Sequence, residues 1–150
     1  MRRPVKVLCV SLLLLTPILT TAAVDGQDVI DYRQHIMKTL NEQAAAIGQI
    51  LSMVIPDDNV VAHLDAIALT ASTALKAFEP KVQGGEAKPD VWTNWADFSK
   101  RMNQFVQMSA TMAKTAHEQG KDAGLAQVVD ALSCKGCHER YRKEKKKTAG

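Results

Sequence analysis

Apolar residues recur every three to four positions along four segments of this 150-residue chain. That spacing puts one apolar stripe on each of four helices, and each stripe must be buried against the others. Aromatic residues make up only 5% of the chain. Because strand-favouring runs of Val, Ile, Tyr and Thr are also nearly absent, strands are disfavoured. The sequence therefore predicts an all-α fold.

Proline and glycine divide the periodic segments from one another. Asp90 is expected to cap the third helix and Gly120 to end it. The four predicted helices cover residues 28–54, 59–78, 90–119 and 122–146. Short or moderate connections favour an antiparallel up-down-up-down four-helix bundle, with an open helical array as the competing arrangement.

The first 23 residues have the features of a secretory signal peptide. A basic start containing Arg2 and Arg3 precedes an apolar run over 7–15, and Ala22-Ala23 provides small residues for cleavage. A membrane span needs about 20 apolar residues, so this run is too short for a comfortable one. We expect cleavage after Ala23, with an uncleaved anchor as the alternative, which leaves a single domain over 24–150 in the periplasm.

Removal of the signal changes the balance of charge. Three of the 19 basic residues lie in the predicted signal and none of the 16 acidic ones does, so the mature chain has 16 of each. A near-neutral chain gives no reason to expect a nucleic-acid partner, and no membrane contact is expected after cleavage. Of the three cysteines, only Cys134 and Cys137 remain in the mature chain.

These two cysteines and the next histidine form the motif Cys134-Lys135-Gly136-Cys137-His138. Each thiol can add to a haem vinyl group, and the adjacent imidazole can then bind the iron as the proximal ligand. The motif predicts one covalently bound haem c. A zinc site would need a fourth ligand, and a thioredoxin-like redox pair would need an alternating strand–helix pattern. A simple disulfide is the third alternative.

Methionines on the first and third helices are candidates for the sixth iron ligand. His138 lies about 8 residues before the predicted end of the fourth helix, roughly 12 Å along its axis. Met37 lies about 9 residues into the first helix, roughly 13 Å from the same end of the bundle. Met102, about 16 Å along the third helix, is the second candidate. Met37 also belongs to an apolar stripe, so a packing role is the alternative.

Three short motifs, in order along the chain, carry a resemblance to a known family. They are Tyr32-Arg33-Gln34, the stretch Lys-Pro-Asp-Val-Trp over 88–92, and Cys-Lys-Gly-Cys-His-Glu-Arg-Tyr-Arg-Lys over 134–143. In these the chain resembles class II c-type cytochromes, the cytochrome c′ family. The resemblance implies a periplasmic four-helix bundle with haem near the C-terminal end of the fourth helix. Members of this family often form homodimers. The resemblance also implies a function either in electron transfer or in the binding of small gases such as nitric oxide.

The resemblance also implies roles for three further residues. Met37 falls on the family's distal position, which holds a ligating Met in the low-spin branch and is usually apolar and unligated in high-spin members. Arg33 resembles an arginine beside the haem propionates, and Arg142 resembles an arginine on the proximal side. Each arginine could instead be a solvated helix charge.

Two functions follow from these expectations. The first is a periplasmic electron-transfer protein with His138 and Met37 as axial ligands and a redox protein as partner. The alternative is a high-spin protein that binds nitric oxide or carbon monoxide at an open sixth position. An enzyme such as a peroxidase is disfavoured, because the inward-facing neighbours of Met37 are apolar. The basic tail over 139–147 either steers an acidic redox partner or is a solvated helix end.

Overall fold

The computed structural model describes residues 24–144, so the predicted signal over 1–23 and the last residues, 145–150, lie outside the described part. Within it the chain forms seven α-helices and one 3₁₀ helix, Leu75–Phe78. The α-helices are α1 (Gly26–Leu51), α2 (Val60–Ala74), α3 (Asp90–Thr93), α4 (Trp95–Gln119), α5 (Lys121–Leu125), α6 (Val128–Ala131) and α7 (Cys134–Tyr141). The described residues contain no strand, which confirms the all-α prediction.

Three long helices and a column of three short ones make up the bundle. Helix α1 packs on α2, α2 packs on α4, and α4 packs on α5. Helices α5, α6 and α7 follow one another along the remaining side and together take the place of the fourth bundle helix.

Two groups of buried side chains form the core. The first is built on Ile47, Leu64, Ile67 and Met112, which are fully buried. The second, near the end of the bundle that holds α7, contains Ile36, Phe78, Val91, Phe98, Met102 and Tyr141. By length and composition the stretch Val60–Phe78 could also cross a membrane, but its fully buried residues belong to this core, as expected for the central helix of a bundle.

Helix α1 ends at Leu51, three residues before the predicted boundary. The chain enters a left-handed conformation at Met53, where φ is 57°. The amides of Met53 and Val54 then donate to the carbonyls of Ile50 and Gln49, at 2.9 and 3.0 Å, which closes the helix with a Schellman motif. Leu51 and Val54, which the apolar stripe placed in the core, are exposed as a result.

The predicted third helix is divided at Asn94, which has φ −115° and ψ 42°. Asp90 is the first helical residue of α3 rather than its cap, because Pro89 occupies the cap position. The inward positions are as predicted: Phe98, Met102 and Met112 are all buried.

The predicted fourth helix over 122–146 is wrong in two respects. It is broken into three short helices, with the second break after α6 at Leu132, where ψ is 32°. It also ends at Tyr141, because Arg142 is extended (φ −110°, ψ 138°) and pairs with Ala87 across a single antiparallel bridge. His138 therefore lies three residues before the helix end rather than about eight. The predicted agreement between the positions of His138 and Met37 along the bundle axis was thus calculated from a helix that is too long.

Gly124 of α5 lies close against the long helices α2 and α4. A Cβ atom there would lie 2.6 Å from Cβ of Ala116, 2.9 Å from Cδ1 of Leu64 and 3.1 Å from Cα of Ala116. We expect Gly124→Ala to lower the free energy of unfolding by about 1 to 3 kcal/mol, because the overpacked core must shift. Urea denaturation followed by circular dichroism measures this change.

Gly48, three residues before the C-terminal end of α1, is the matched control. A Cβ atom there has no neighbour within 4 Å, so Gly48→Ala should stabilise the protein by about 0.5 to 1 kcal/mol through the better helix propensity of alanine. Changes of opposite sign in the free energy of unfolding for the two variants support the packing argument. Stabilisation by both would contradict it.

Candidate cofactor site

Helix α7 carries all three chemical groups of the Cys-x-x-Cys-His motif on two turns. Cys134 is exposed, Cys137 is partly buried, and both thiols are free. Burial raises the pKa of both thiols. Burial, and secondarily the charge of Arg142, lowers the pKa of the His138 imidazole. The neutral imidazole, the form that ligates metals, is therefore favoured.

Two adjoining clefts, of about 450 and 420 Å³, open beside this helix. Apolar side chains form much of their walls: Phe78, Val91 and Phe98 in the first, and Ile67, Phe105 and Leu132 in the second. Six residues line both clefts, namely Met37, Asn41, Met102, Cys137, His138 and Arg142. The structure thus brings α1, α4 and α7 together around one divided cavity.

The residues of this cavity fit a haem. Cys134 lines the second cleft and Cys137 lines both, so both thiols lie where a macrocycle filling the clefts could be tethered. The apolar walls suit a large flat ring, and His138 reaches the same space. Within residues 24–144, no three His, Cys, Asp or Glu side chains are grouped closely enough to hold a metal ion by themselves. The zinc alternative therefore gains no support from the described part of the chain.

The methionines of the described chain lie in three kinds of place: along the clefts, in the core and at the surface. Met37 and Met102, the two candidate ligands, both line the two clefts. Both also belong to the second core group, Met102 as a buried member and Met37 as a partly buried neighbour. Of the other three methionines in residues 24–144, Met112 fills the core, whereas Met53 is 91% exposed and Met108 is exposed along the second cleft.

Arg33 is buried, with 2% of its surface exposed, and holds the loop that follows α2. Its two terminal nitrogens donate to the carbonyls of Val82 and Gly84, both at 2.7 Å. Its guanidinium also lies over the Trp92 ring, 5.2 Å from the centroid. Arg33 lines the first cleft as well. Its contact with haem propionates stays a prediction, and the contacts observed show that it is not a solvated helix charge.

Arg142 lies where α7 meets the same loop. It lines both clefts, and its Nε is 3.9 Å from the carboxylate of Glu86. The backbone beside it is paired: the amide of Lys88 donates to the carbonyl of Tyr141 at 2.9 Å, and the amide of Lys143 donates to that of Glu86 at 2.8 Å. The end of the motif helix is therefore fastened to the loop that Arg33 holds.

The described part of the basic tail is paired within the protein. Arg140 is 3.4 Å from Asp97, and Nζ of Lys143 donates to the carbonyl of Gly85 at 2.9 Å. Lys145, Lys146 and Lys147 lie outside the described residues. Steering of an acidic partner by the tail stays a prediction.

A polar cluster of Asp97, Arg101 and Tyr141, which was not predicted from the sequence, lies at this end of the bundle. Asp97 accepts hydrogen bonds from both other side chains. Two signals could have pointed to it: Asp97 and Arg101 stand four residues apart on a helix, and Tyr141 stands three residues after His138 on another. The contact between the two helices has no signal in the sequence.

Comparisons with known proteins agree with the fold and the site. The sequence model of the family described as Cytochrome C′ matches residues 28–142. Cytochrome c′ from Alcaligenes xylosoxydans xylosoxydans is 25% identical over 122 residues, which cover 79% of this chain and 96% of that protein. Cytochrome c′ from Halomonas halodenitrificans is 28% identical over 131 residues, covering 80% and 99%.

A solved structure shares the same bundle. The nitric oxide complex of a mutant cytochrome c prime from Alcaligenes xylosoxidans superposes with a TM-score of 0.74 at 25% identity, covering 82% of this chain and 99% of that one. The predicted four-helix bundle is thereby confirmed. With the family model spanning all of α2 to α7 and the motif helix in place, the chain belongs to the cytochrome c′ family.

Proposed function

We propose that this protein binds nitric oxide or carbon monoxide at the iron of one covalently attached haem. Proteins of the cytochrome c′ family carry a covalent c-type haem. In the proposal Cys134 and Cys137 form the thioethers and His138 is the proximal ligand. The observation that carries it is the divided cavity, which the motif residues share with Met37 and Met102.

The gas-binding alternative fits the comparisons better than the low-spin electron-transfer prediction. The matched relatives are named cytochrome c′, and one solved relative holds nitric oxide. Met37 is partly buried against the second core group, which includes Phe98 and Met102. A side chain held by such apolar contacts suits the packing role that the sequence left open for Met37.

Each part of the cavity has a distinct task in this proposal. The haem supplies an iron with one position open to a diatomic gas. The two thiols hold the ring against α7, and His138 provides the proximal nitrogen. Phe78, Val91 and Phe98 would give the first cleft an apolar wall, which suits small apolar ligands.

The same proposal extends to where the protein works. Residues 1–23 direct export and are removed, and residues 24–150 form the haem domain in the periplasm, where cytochromes of this type are assembled. The proposed task is binding rather than catalysis. A homodimer, as the resemblance implies, and a redox protein that reduces the iron are its proposed partners.

The optical spectrum of the purified holoprotein tests this function. We expect a high-spin spectrum in both the ferric and the ferrous form, and a shift of the ferrous Soret band when carbon monoxide is added. Equilibrium titration should give saturable binding of one gas molecule per haem. A low-spin spectrum with the weak near-infrared band of methionine bound to ferric iron would instead restore the electron-transfer prediction.

A further inference from the structure

A carboxylate on α4 holds the end of the motif helix. The phenol of Tyr141 donates a hydrogen bond to Oδ2 of Asp97. The same oxygen accepts from Nε of Arg101 at 2.8 Å and lies 3.4 Å from a terminal nitrogen of Arg140. Asp97 and Arg101 belong to α4, whereas Arg140 and Tyr141 belong to α7. One carboxylate oxygen therefore joins the two helices.

The bond to Tyr141 involves the least exposed side chain of this cluster. Tyr141 is only 3% exposed, whereas the side chains of Arg101, Arg140 and Asp97 are 37 to 49% exposed. Ion pairs as exposed as these contribute little to stability, because water screens them. A hydrogen bond from a buried phenol to a carboxylate is charge-assisted and is shielded on one side.

The protonation states of the pair favour this bond at neutral pH. The hydrogen bond from Arg101, and then that from Tyr141, holds the pKa of Asp97 below its usual value, so the carboxylate is ionised. Burial, and then the bond to Asp97, raises the pKa of Tyr141, so the phenol keeps its proton. The donor and the acceptor are both in the required form.

Helix α7 depends on contacts of this kind for its position. It has eight residues, and isolated helices of this length are unstable in water. Its last residue, Tyr141, packs edge-on against Phe98 of α4, with ring centroids 5.2 Å apart. Tyr141 and His138 are three residues apart, so they lie on one face of the helix, and both line the first cleft. A movement of the Tyr141 side chain is thus transmitted to His138.

We propose that Asp97 is a positioning residue that, through Tyr141, sets the orientation of the His138 imidazole toward the haem iron. The proposal rests on the proximal role assigned to His138 under the proposed function. Asp97 itself lines neither cleft. In the proposal its effect on His138 passes through the hydrogen bond with Tyr141.

The test compares Asp97→Ala and Tyr141→Phe holoproteins with the wild type. Resonance Raman spectroscopy of the ferrous form measures the frequency of the iron–histidine stretching band. Electron paramagnetic resonance of the ferric form measures the symmetry of the ligand field around the iron. Both variants should shift the band and broaden the ferric signal. Because Tyr141→Phe keeps the ring packing on Phe98, it should fold. The double variant should shift the band no further than Asp97→Ala alone, since Asp97→Ala already removes the bond that Tyr141→Phe removes.

Two controls separate positioning from general loss of stability. Gly124→Ala weakens the bundle away from α7 and should leave the band at the wild-type frequency. Arg140→Gln removes the longest contact to Asp97 and the contact of the guanidinium with the Tyr141 ring, 5.5 Å from the centroid, but it keeps the phenol bond, so it should do the same. A band unmoved in both Asp97→Ala and Tyr141→Phe would overturn the proposal. If the wild type itself shows no iron–histidine band, the proposed function fails instead, because a five-coordinate ferrous iron bound by His138 would show one.

Discussion

Replacing both Cys134 and Cys137 by alanine is expected to leave the protein without covalently bound haem. The two thioethers are the only covalent links that the motif offers to the vinyl groups. The single variants Cys134→Ala and Cys137→Ala should each retain one link and less haem. Intact-mass analysis under denaturing conditions, on protein from cells with a working cytochrome c maturation system, measures the fraction of chains that carry one haem.

Lys135→Ala is the matched control for this loss. Lys135 stands between the two cysteines, and its side chain is 88% exposed with only a 3.6 Å pair to Glu139. Its removal should leave attachment complete, because the thiols and His138 are unchanged. A double cysteine variant whose denatured chain still has the mass of one added haem would contradict the assignment. A wild-type chain without that mass would contradict haem attachment itself.

Replacing Met37 by alanine should speed carbon monoxide binding to the ferrous protein without changing the spin state. The Met37 side chain lines both clefts and packs against the second core group. Rearranging a packed side chain costs about 1 to 3 kcal/mol. Its removal is therefore expected to raise the association rate constant by about tenfold. Stopped-flow mixing of the ferrous protein with carbon monoxide measures this constant.

The control and the contrary outcomes distinguish packing from ligation. Met108→Ala shortens an exposed methionine that lines only the second cleft, and it should leave the rate within about twofold of the wild type. A wild-type protein that is low-spin and becomes high-spin in Met37→Ala would show ligation by Met37. A low-spin spectrum that survives Met37→Ala would point to Met102 as the ligand.

Much of the fold, and the haem-attachment motif, could be predicted from residues that are close together in the sequence. The apolar stripes of α1, α2 and α4 have the three-to-four period that only a helix buries on one side. Phe98, Met102 and Met112 are buried at the predicted positions of α4. The Cys134–His138 motif needs no distant partner to be recognised, since its three groups are neighbours in the chain. The family resemblance, drawn from three short motifs, is confirmed by the match over 28–142.

Helix ends and breaks were the least predictable part. The predicted helices continue past Leu51 and past Tyr141, but the chain leaves the helix at both points. At Met53 a left-handed residue closes α1, although a methionine gives no local sign of that conformation. Beyond Tyr141 the chain is extended because the backbone pairs with the loop around Ala87. A contact with a segment more than fifty residues away outweighs the local preference for helix.

The sequence by itself determined the helical class and the attachment motif, and it singled out Met37 and Met102, which line both clefts. Only the tertiary structure decided how the motif helix is held, because every contact that does so joins distant parts of the chain. Arg33 binds carbonyls 49 and 51 residues away, and Tyr141 binds a carboxylate 44 residues away. Periodicity reports which face of a helix is buried, but not which polar groups on neighbouring helices will meet.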